Sequence, residues 1–343
     1  MTRDTSKKQF VATLVGSPRF WLGLAASLVA VLLAARDVRW FEVGRALSQA
    51  DAVCLLLALG TFLLTTWLKA VRWRLLFYPQ HSRLALRVCL SVLMVGQLAN
   101  NVLPARSGDL IRAFHTGRSY RTGGMLALAT VVVEKALDSV MLLLLMGVLS
   151  LRVSMPPWLR HSGIAISGAL AVSLLVLMVV ASQRVRIIAA LESCIERYSW
   201  LGFLRVPRRL AEASGELGAL RSIRVQVLLW GLSLLIWIVA VSTNALVARS
   251  INLPMDVHAA SLLLVVLMVG AILPASPLQL GVFHYLCILT LALFGVDRST
   301  AMTYAVLLHV VVFLPMVLGG VAGLWLESLT LHEPGFMQGR TAS

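Results

Sequence analysis

The sequence predicts an all-α integral membrane protein with about six full transmembrane helices and two re-entrant helical hairpins. Three observations lead to that fold class. The 343 residues are 59% hydrophobic and only 13% charged, which excludes an ordinary soluble domain. Apolar runs that cross, or nearly cross, a bilayer core needing about 20 residues recur near 20–35, 52–68, 84–103, 125–150, 162–182, 225–248, 259–275, 278–295 and 302–326. One stretch at 100–115, NNVLPARSGDLIRAFH, breaks the apolar pattern with Asn, Pro, Gly and three charges. The remaining runs read as helices that surround it.

A net charge of +15 can signal nucleic acid, but here the basic residues sit in loops between apolar runs. Nucleic acid is therefore not an expected partner. The basic residues read as topology signals and as contacts with anionic headgroups. Cys54, Cys89, Cys194 and Cys287 are far apart, so neither a disulfide framework nor a metal site is expected, and no cofactor motif is present.

Residues 1–19 carry Arg3, Lys7, Lys8 and Arg19 against Asp4, which puts an N-terminal tail in the cytoplasm. A basic start, an apolar stretch and Ala34-Ala35 also resemble a signal peptide, but the long charged lead and Pro18 favour a retained first helix. The loop 36–51 balances three Arg against three acids, as suits the outside. After the second run, Lys69, Arg72, Arg74 and Arg83 among Trp and Phe read as a cytoplasmic interfacial stretch.

The polar stretch then forces a choice. If 84–103 crosses fully, the arginine-rich loop 183–224 falls outside; if 84–121 is a hairpin from the cytoplasm, both basic loops fall inside. Positive-inside bias prefers the hairpin. Broken backbone at membrane depth must be buried in protein or face a wet cavity, so a turn at Asn101-Val102-Leu103-Pro104 implies a polar pocket. Within 183–224, Ile187, Ile188, Leu191, Cys194, Ile195 and Tyr198 form a helical stripe expected along the inner membrane surface.

The hairpin has an echo. VLMVG stands at 92–96 and at 266–270, and Leu103-Pro104-Ala105 recurs as Leu273-Pro274-Ala275, with four more residues between the two elements in the first copy. The second copy, 259–296, would enter from outside. Two broken hairpins of opposite orientation are what an inverted-repeat transporter shows, although so few identities in an apolar background also arise by chance. The organisation expected is a cytoplasmic tail 1–19, a membrane domain 20–326 with its cytoplasmic loop 183–224, and a cytoplasmic tail 327–343.

Chemistry concentrates in the first hairpin and the next helix. Arg106, Asp109 and Arg112 share roughly one side of a helix leaving Pro104, and Glu134 and Asp138 are one turn apart with Lys135 beside them. Such charges cost about 2.5–3.5 kcal/mol each near the bilayer centre, so they pair or face water. An arginine pair in a low-dielectric pocket suits a phosphate; the competing reading is a structural ion-pair network that locks packing. Arg118 and Arg121 read as headgroup contacts. His284 and His309 fit either proton relay or packing. No zinc cluster, serine nucleophile motif or Gly-rich phosphate loop is present, and the short outside loops disfavour a glycosyltransferase, so an enzyme is not expected.

NNVLPARSGDLIRAF, VVVEKALDSVMLLLL and ILPASPLQLGVFHYLCILTLALFGV, in that order, resemble the flippase-like family related to the transmembrane region of lysylphosphatidylglycerol synthase, over about residues 15–327. The family's first motif, Asn-x-Leu-Pro-x-Arg-x-Gly-Glu-x-x-Arg, falls on Asn101, Leu103, Pro104, Arg106, Gly108, Asp109 and Arg112, with Asp for Glu. The second, Glu-Arg-x-x-Asp, falls on Glu134, Lys135 and Asp138. The third, Pro-x-Ser-Pro-Gly-Gly-x-Gly followed by an acid, finds Pro274, Ser276, Pro277 and Gly281. Leu278 and Gln279 replace its glycines, and His284 stands where many members have the acid. His309 fits a sub-branch with Phe-His after this glycine.

The resemblance implies translocation of an anionic or phosphate-linked lipid across the cytoplasmic membrane, with phospholipid, hopanoid or polyprenyl-phosphate-linked lipids as cargo. Substrate binding would fall to Asn101, Arg106, Asp109, Arg112, Glu134, Lys135 and Asp138. Gating or coupling would fall to Pro104, Gly108, Pro274, Ser276, Gly281, His284 and His309. About 17 residues come after the last apolar run, so aminoacyl transfer is not expected. The competing classes are a non-transporting scaffold for a lipid-modifying glycosyltransferase and a transporter of soluble solutes.

Overall fold

A computed structural model of the chain describes residues 18–79, 84–103, 107–119, 124–152, 222–271 and 276–330, with the single positions 161, 168 and 172. The described residues are helical and contain no strand. The helices are α1 (Pro18–Ala35), α2 (Trp40–Ser48), α3 (Ala52–Leu76), α4 (Leu86–Val102), α5 (Gly108–Ser119) and α6 (Gly124–Arg152), and then α7 (Ile223–Ser250), α8 (Val257–Gly270), α9 (Val282–Ala292) and α10 (Arg298–Thr330). The stripe at 187–198 lies outside the described residues.

Among the described residues three helices are long and apolar enough to cross a membrane: Ala52–Leu76, Ile223–Ser250 and the Arg298–Trp325 part of α10. Their exposure pattern inverts that of a soluble protein. On α10, Val310, Leu314, Leu318, Val321 and Trp325 are exposed at helical spacing, while Leu308, Val311, Phe313 and Met316 are buried. Buried polar groups include Arg72, Glu134, Thr243 and Asn244. Apolar outside and polar inside is the arrangement hydrocarbon solvent favours.

Two stretches depart from the sequence expectation. The loop 36–51 contains α2, whose Val43 is buried and whose Trp40 and Phe41 are exposed. The helix of the second apolar run does not end near Trp67: α3 continues to Leu76, carrying Lys69, Arg72 and Arg74.

The chain divides into two compact units, one formed by 1–66, 90–109 and 240–343, the other by 67–89 and 110–239. In the first unit, Phe283, Cys287 and Leu291 of α9 pack with Leu263 and Leu267 of α8 and with Tyr304 and Leu308 of α10. α9 also packs on α1, and α10 on α2. Several loops meet at one end of this unit: Asp51 N–H donates to Ser250 O at 2.8 Å, Arg39 N–H to Ser299 Oγ at 3.1 Å, and Arg298 to Arg36 O at 3.1 Å. The stretch 257–297 therefore starts and finishes at the same end. Its helices have 14 and 11 residues, about 21 and 16 Å at 1.5 Å per residue, each shorter than a hydrocarbon core of about 30 Å. Asp256 caps α8 by accepting from Ala259 N–H at 2.7 Å, and that bond holds its carboxyl below the ordinary range.

The two echo segments differ as the four extra residues require. α4 runs six residues past Gly96, whereas α8 ends at Gly270. Each glycine lies against the helix on the far side of its break: Gly96 O against Gly108 of α5, and Gly270 against Leu286 of α9.

Candidate functional site

In the second unit, α3, α5, α6 and α7 bring a set of charged and polar side chains together. Arg112 of α5 is 2% exposed and donates to Glu134 Oε2 of α6 at 3.0 Å. Its guanidinium also lies over the Trp73 ring, 5.1 Å from the centroid, a position in which the negative ring face supports the cation. The Trp73 indole donates to Thr130 Oγ1 at 3.1 Å, which fixes the ring.

One turn along α6, Asp138 meets Arg72 of α3 at 2.7 Å. Arg72 is fully buried, and it donates through Nη1 to Ser233 Oγ of α7 at 2.9 Å. Sequence reasoning puts Arg72 at headgroup level and so leaves it out of the site. The signal that could have found it is the pair of acids at i, i+4 inside one apolar helix: each needs a cation at the same depth, and Arg106 and Arg112 are not the only ones within reach. Lys135, next to Glu134 on α6, is exposed.

The first unit holds the remaining candidates among the described residues. Asn101 donates to Gln97 O at 2.9 Å and to Met316 Sδ at 3.3 Å, so its amide faces α10. Its neighbour Asn100, which sequence reasoning passes over, accepts from Asp109 N–H at 3.2 Å and so caps α5 from the end of α4. Gly108 approaches α4 too closely for a side chain, since an added Cβ would lie 2.6 Å from Asn100 N. Pro104, Arg106 and Pro274 lie outside the described residues.

The stretch 276–281 rests on α1. Ser276 N–H donates to Ser27 Oγ at 2.6 Å, and a Cβ on Gly281 would meet Ser27 O at 2.6 Å. Leu278, Gln279 and Gly281 have φ of 60°, 56° and 89°. Leu278 and Gln279 stand where the resemblance leads one to expect glycines, and the backbone there keeps the left-handed shape that glycine suits. On α9 and α10, the rings of His284 and His309 stack with centroids 4.9 Å apart. His309 stacks in turn on Phe313 at 4.1 Å, and Phe283 meets both histidines edge-on. His309 Nδ1 is buried without a hydrogen-bond partner among the described residues.

Among the described residues no group of three or more His, Cys, Asp or Glu could hold a metal. Guanidinium groups offer parallel donors to oxygens, and here those of Arg112 and Arg72 face the carboxylates of Glu134 and Asp138.

An all-α fold with apolar faces outward and ion pairs buried within defines a multi-pass membrane protein with a charged interior. Residues 20–320 match the lysylphosphatidylglycerol synthase TM region, and the chain belongs to that family. A UPF0104 membrane protein of Methanothermobacter thermautotrophicus is 23% identical over 298 residues, covering 82% of this chain and 88% of the relative. No solved structure matches.

Proposed function

We propose that this protein translocates an anionic or phosphate-linked lipid across the cytoplasmic membrane. The observation that carries the reading is the buried Arg112–Glu134 pair set against Trp73. A charge pair inside a membrane helix is expensive and is by default a functional site. In this reading Arg106 and Arg112 engage the lipid phosphate, and Glu134 and Asp138 hold the arginines when no substrate is bound. Asp109, one turn before Arg112 on α5, restrains the arginines, while Asn101 and Lys135 complete the binding set.

The finer topology belongs to the same proposal: about six full spans, two re-entrant hairpins of opposite orientation, and both termini in the cytoplasm. The short lengths of α8 and α9, and the bonds that tie both ends of 257–297 to residues 36–51, support a hairpin entering from outside. Pro104, Gly108, Pro274, Ser276 and Gly281 serve gating or coupling together with the stacked His284–His309 pair, and Gly108 and Gly281 fit closely against neighbouring helices. In this reading the protein itself performs no covalent chemistry, and a lipid-modifying glycosyltransferase is the expected kind of partner.

The test is transfer of headgroup-labelled lipid in proteoliposomes by wild type and by Arg106→Ala/Arg112→Ala. Arginine-dependent transfer supports the reading. Correctly folded wild type that moves no lipid makes the non-transporting scaffold the better account.

A further inference from the structure

Among the described residues of the second unit, basic side chains outnumber acidic ones. Glu134 and Asp138 are the two carboxylates among its described residues, and each already has an arginine: Arg112 at 3.0 Å and Arg72 at 2.7 Å. Lys69 sits on α3 one turn before Arg72 and is half-buried. It is within electrostatic reach of Asp138, Arg72, Lys135 and Glu134, yet it has no ion pair of its own among the described residues. Nε of the fully buried Arg72 likewise has no hydrogen-bond partner among them. Among the described residues Lys69, Arg72 and Arg112, with Lys135 beside Glu134, thus outnumber the two acids, inside a membrane domain where uncompensated charge is costly. A net negative ligand would supply the missing charge, a zwitterion would not, and a cationic ligand would add to the excess.

Resting on the translocation reading above, we propose that Lys69 is a headgroup-binding residue that, with Arg72 and Arg112, selects phosphate headgroups of net negative charge and excludes zwitterionic and aminoacylated ones. The phosphate oxygens take the donors that Lys69 and Arg72 Nε leave unused. The selectivity comes from Lys69, because it alone of the three cations has no acid to neutralise it. A lysyl headgroup brings cations of its own into a cluster already in positive excess, so the lipid in the family's name would be a poor ligand here.

The test uses the full chain in phosphatidylcholine nanodiscs, with labelled phosphatidylglycerol competed by phosphatidylethanolamine, lysylphosphatidylglycerol or glycerol 3-phosphate. Wild type is expected to prefer phosphatidylglycerol over the other two lipids by about tenfold, the worth of one charge-assisted contact. Lys69→Gln, which leaves no acid without a partner, loses most of that preference, and Lys69→Arg restores it. An unchanged preference in Lys69→Gln, equal binding of lysylphosphatidylglycerol by wild type, or equal competition by glycerol 3-phosphate each overturns the assignment. Transfer by the same proteins in liposomes separates the two claims: selective binding without transfer retains Lys69's role and removes the translocation reading, whereas transfer of all three lipids at one rate does the reverse.

Discussion

Arg72 on α3 and Asp138 on α6 are 2.7 Å apart, with the arginine side chain wholly out of solvent. The energetics of such a pair are asymmetric. Removing one partner strands the other charge, at a cost of about 3–5 kcal/mol, while replacing both with apolar groups of similar volume is close to neutral. Asp138→Leu is therefore expected to lower stability by that amount, and Arg72→Met/Asp138→Leu to recover most of it. Thermal unfolding of Arg72→Met, Asp138→Leu and the double variant in detergent measures this; additive losses would show that the two charges do not depend on one another.

The left-handed backbone at 278–281 leads to a second prediction. An L-residue in the left-handed region costs about 1–2 kcal/mol, and Leu278 has φ 60° and ψ 14°. Leu278→Gly should leave stability unchanged or raise it by up to about 1 kcal/mol, as strain relief offsets the added freedom of the unfolded chain. Gly281→Ala should do the opposite, because a Cβ there meets Ser27 O and Val31 as well as an unfavourable φ. The relative unfolding temperatures of the two variants decide the matter.

Asn100 is a capping side chain supplied by a neighbouring helix. Its loss in Asn100→Ala should cost about 0.5–2 kcal/mol. Asn100→Asp, which keeps an acceptor at the N-terminus of α5, should cost less. Equal losses in unfolding measurements would mean that the bond to Asp109 N–H contributes nothing.

Asp256 gives a pH dependence with a definite sign. Its carboxyl titrates below the ordinary value of 3.8, first because it accepts from Ala259 N–H. A depressed folded pKa contributes stability that is fully present above the unfolded value, about 3.9, and is lost as pH falls through the folded value. Asp256→Asn keeps an acceptor for the cap and removes the titration. The difference in unfolding temperature between wild type and Asp256→Asn should therefore shrink on going from pH 6 to pH 3; a constant difference would exclude the linkage.

The positions of α3, α4, α6, α7 and α10 are legible in the sequence as apolar runs of the right length, because hydrocarbon imposes one solution on the backbone. Glu134 is legible as a site residue for the same reason: a carboxylate in such a run demands a partner. Arg72 is not, because an arginine beside Trp73 near a helix end has two low-cost placements, at the headgroups or paired in the interior, and only packing decides between them. α2 is hidden by its balanced charge, which reads equally well as a loop. The turn at Leu278 and Gln279 is built from residues that disfavour its geometry, so no local signal marks it. Asn100 and Asn101 carry the same side chain, and only the direction of α4 tells which one caps α5 and which faces Met316.

The most direct test of the account is lipid transfer in proteoliposomes, with wild type compared to Arg106→Ala/Arg112→Ala across phosphatidylglycerol, cardiolipin and polyprenyl phosphate. The account predicts transfer of at least one of these anionic lipids by wild type, and its loss when the two arginines are removed from a protein that still folds. Equal transfer by the variant, or none by folded wild type, would contradict it.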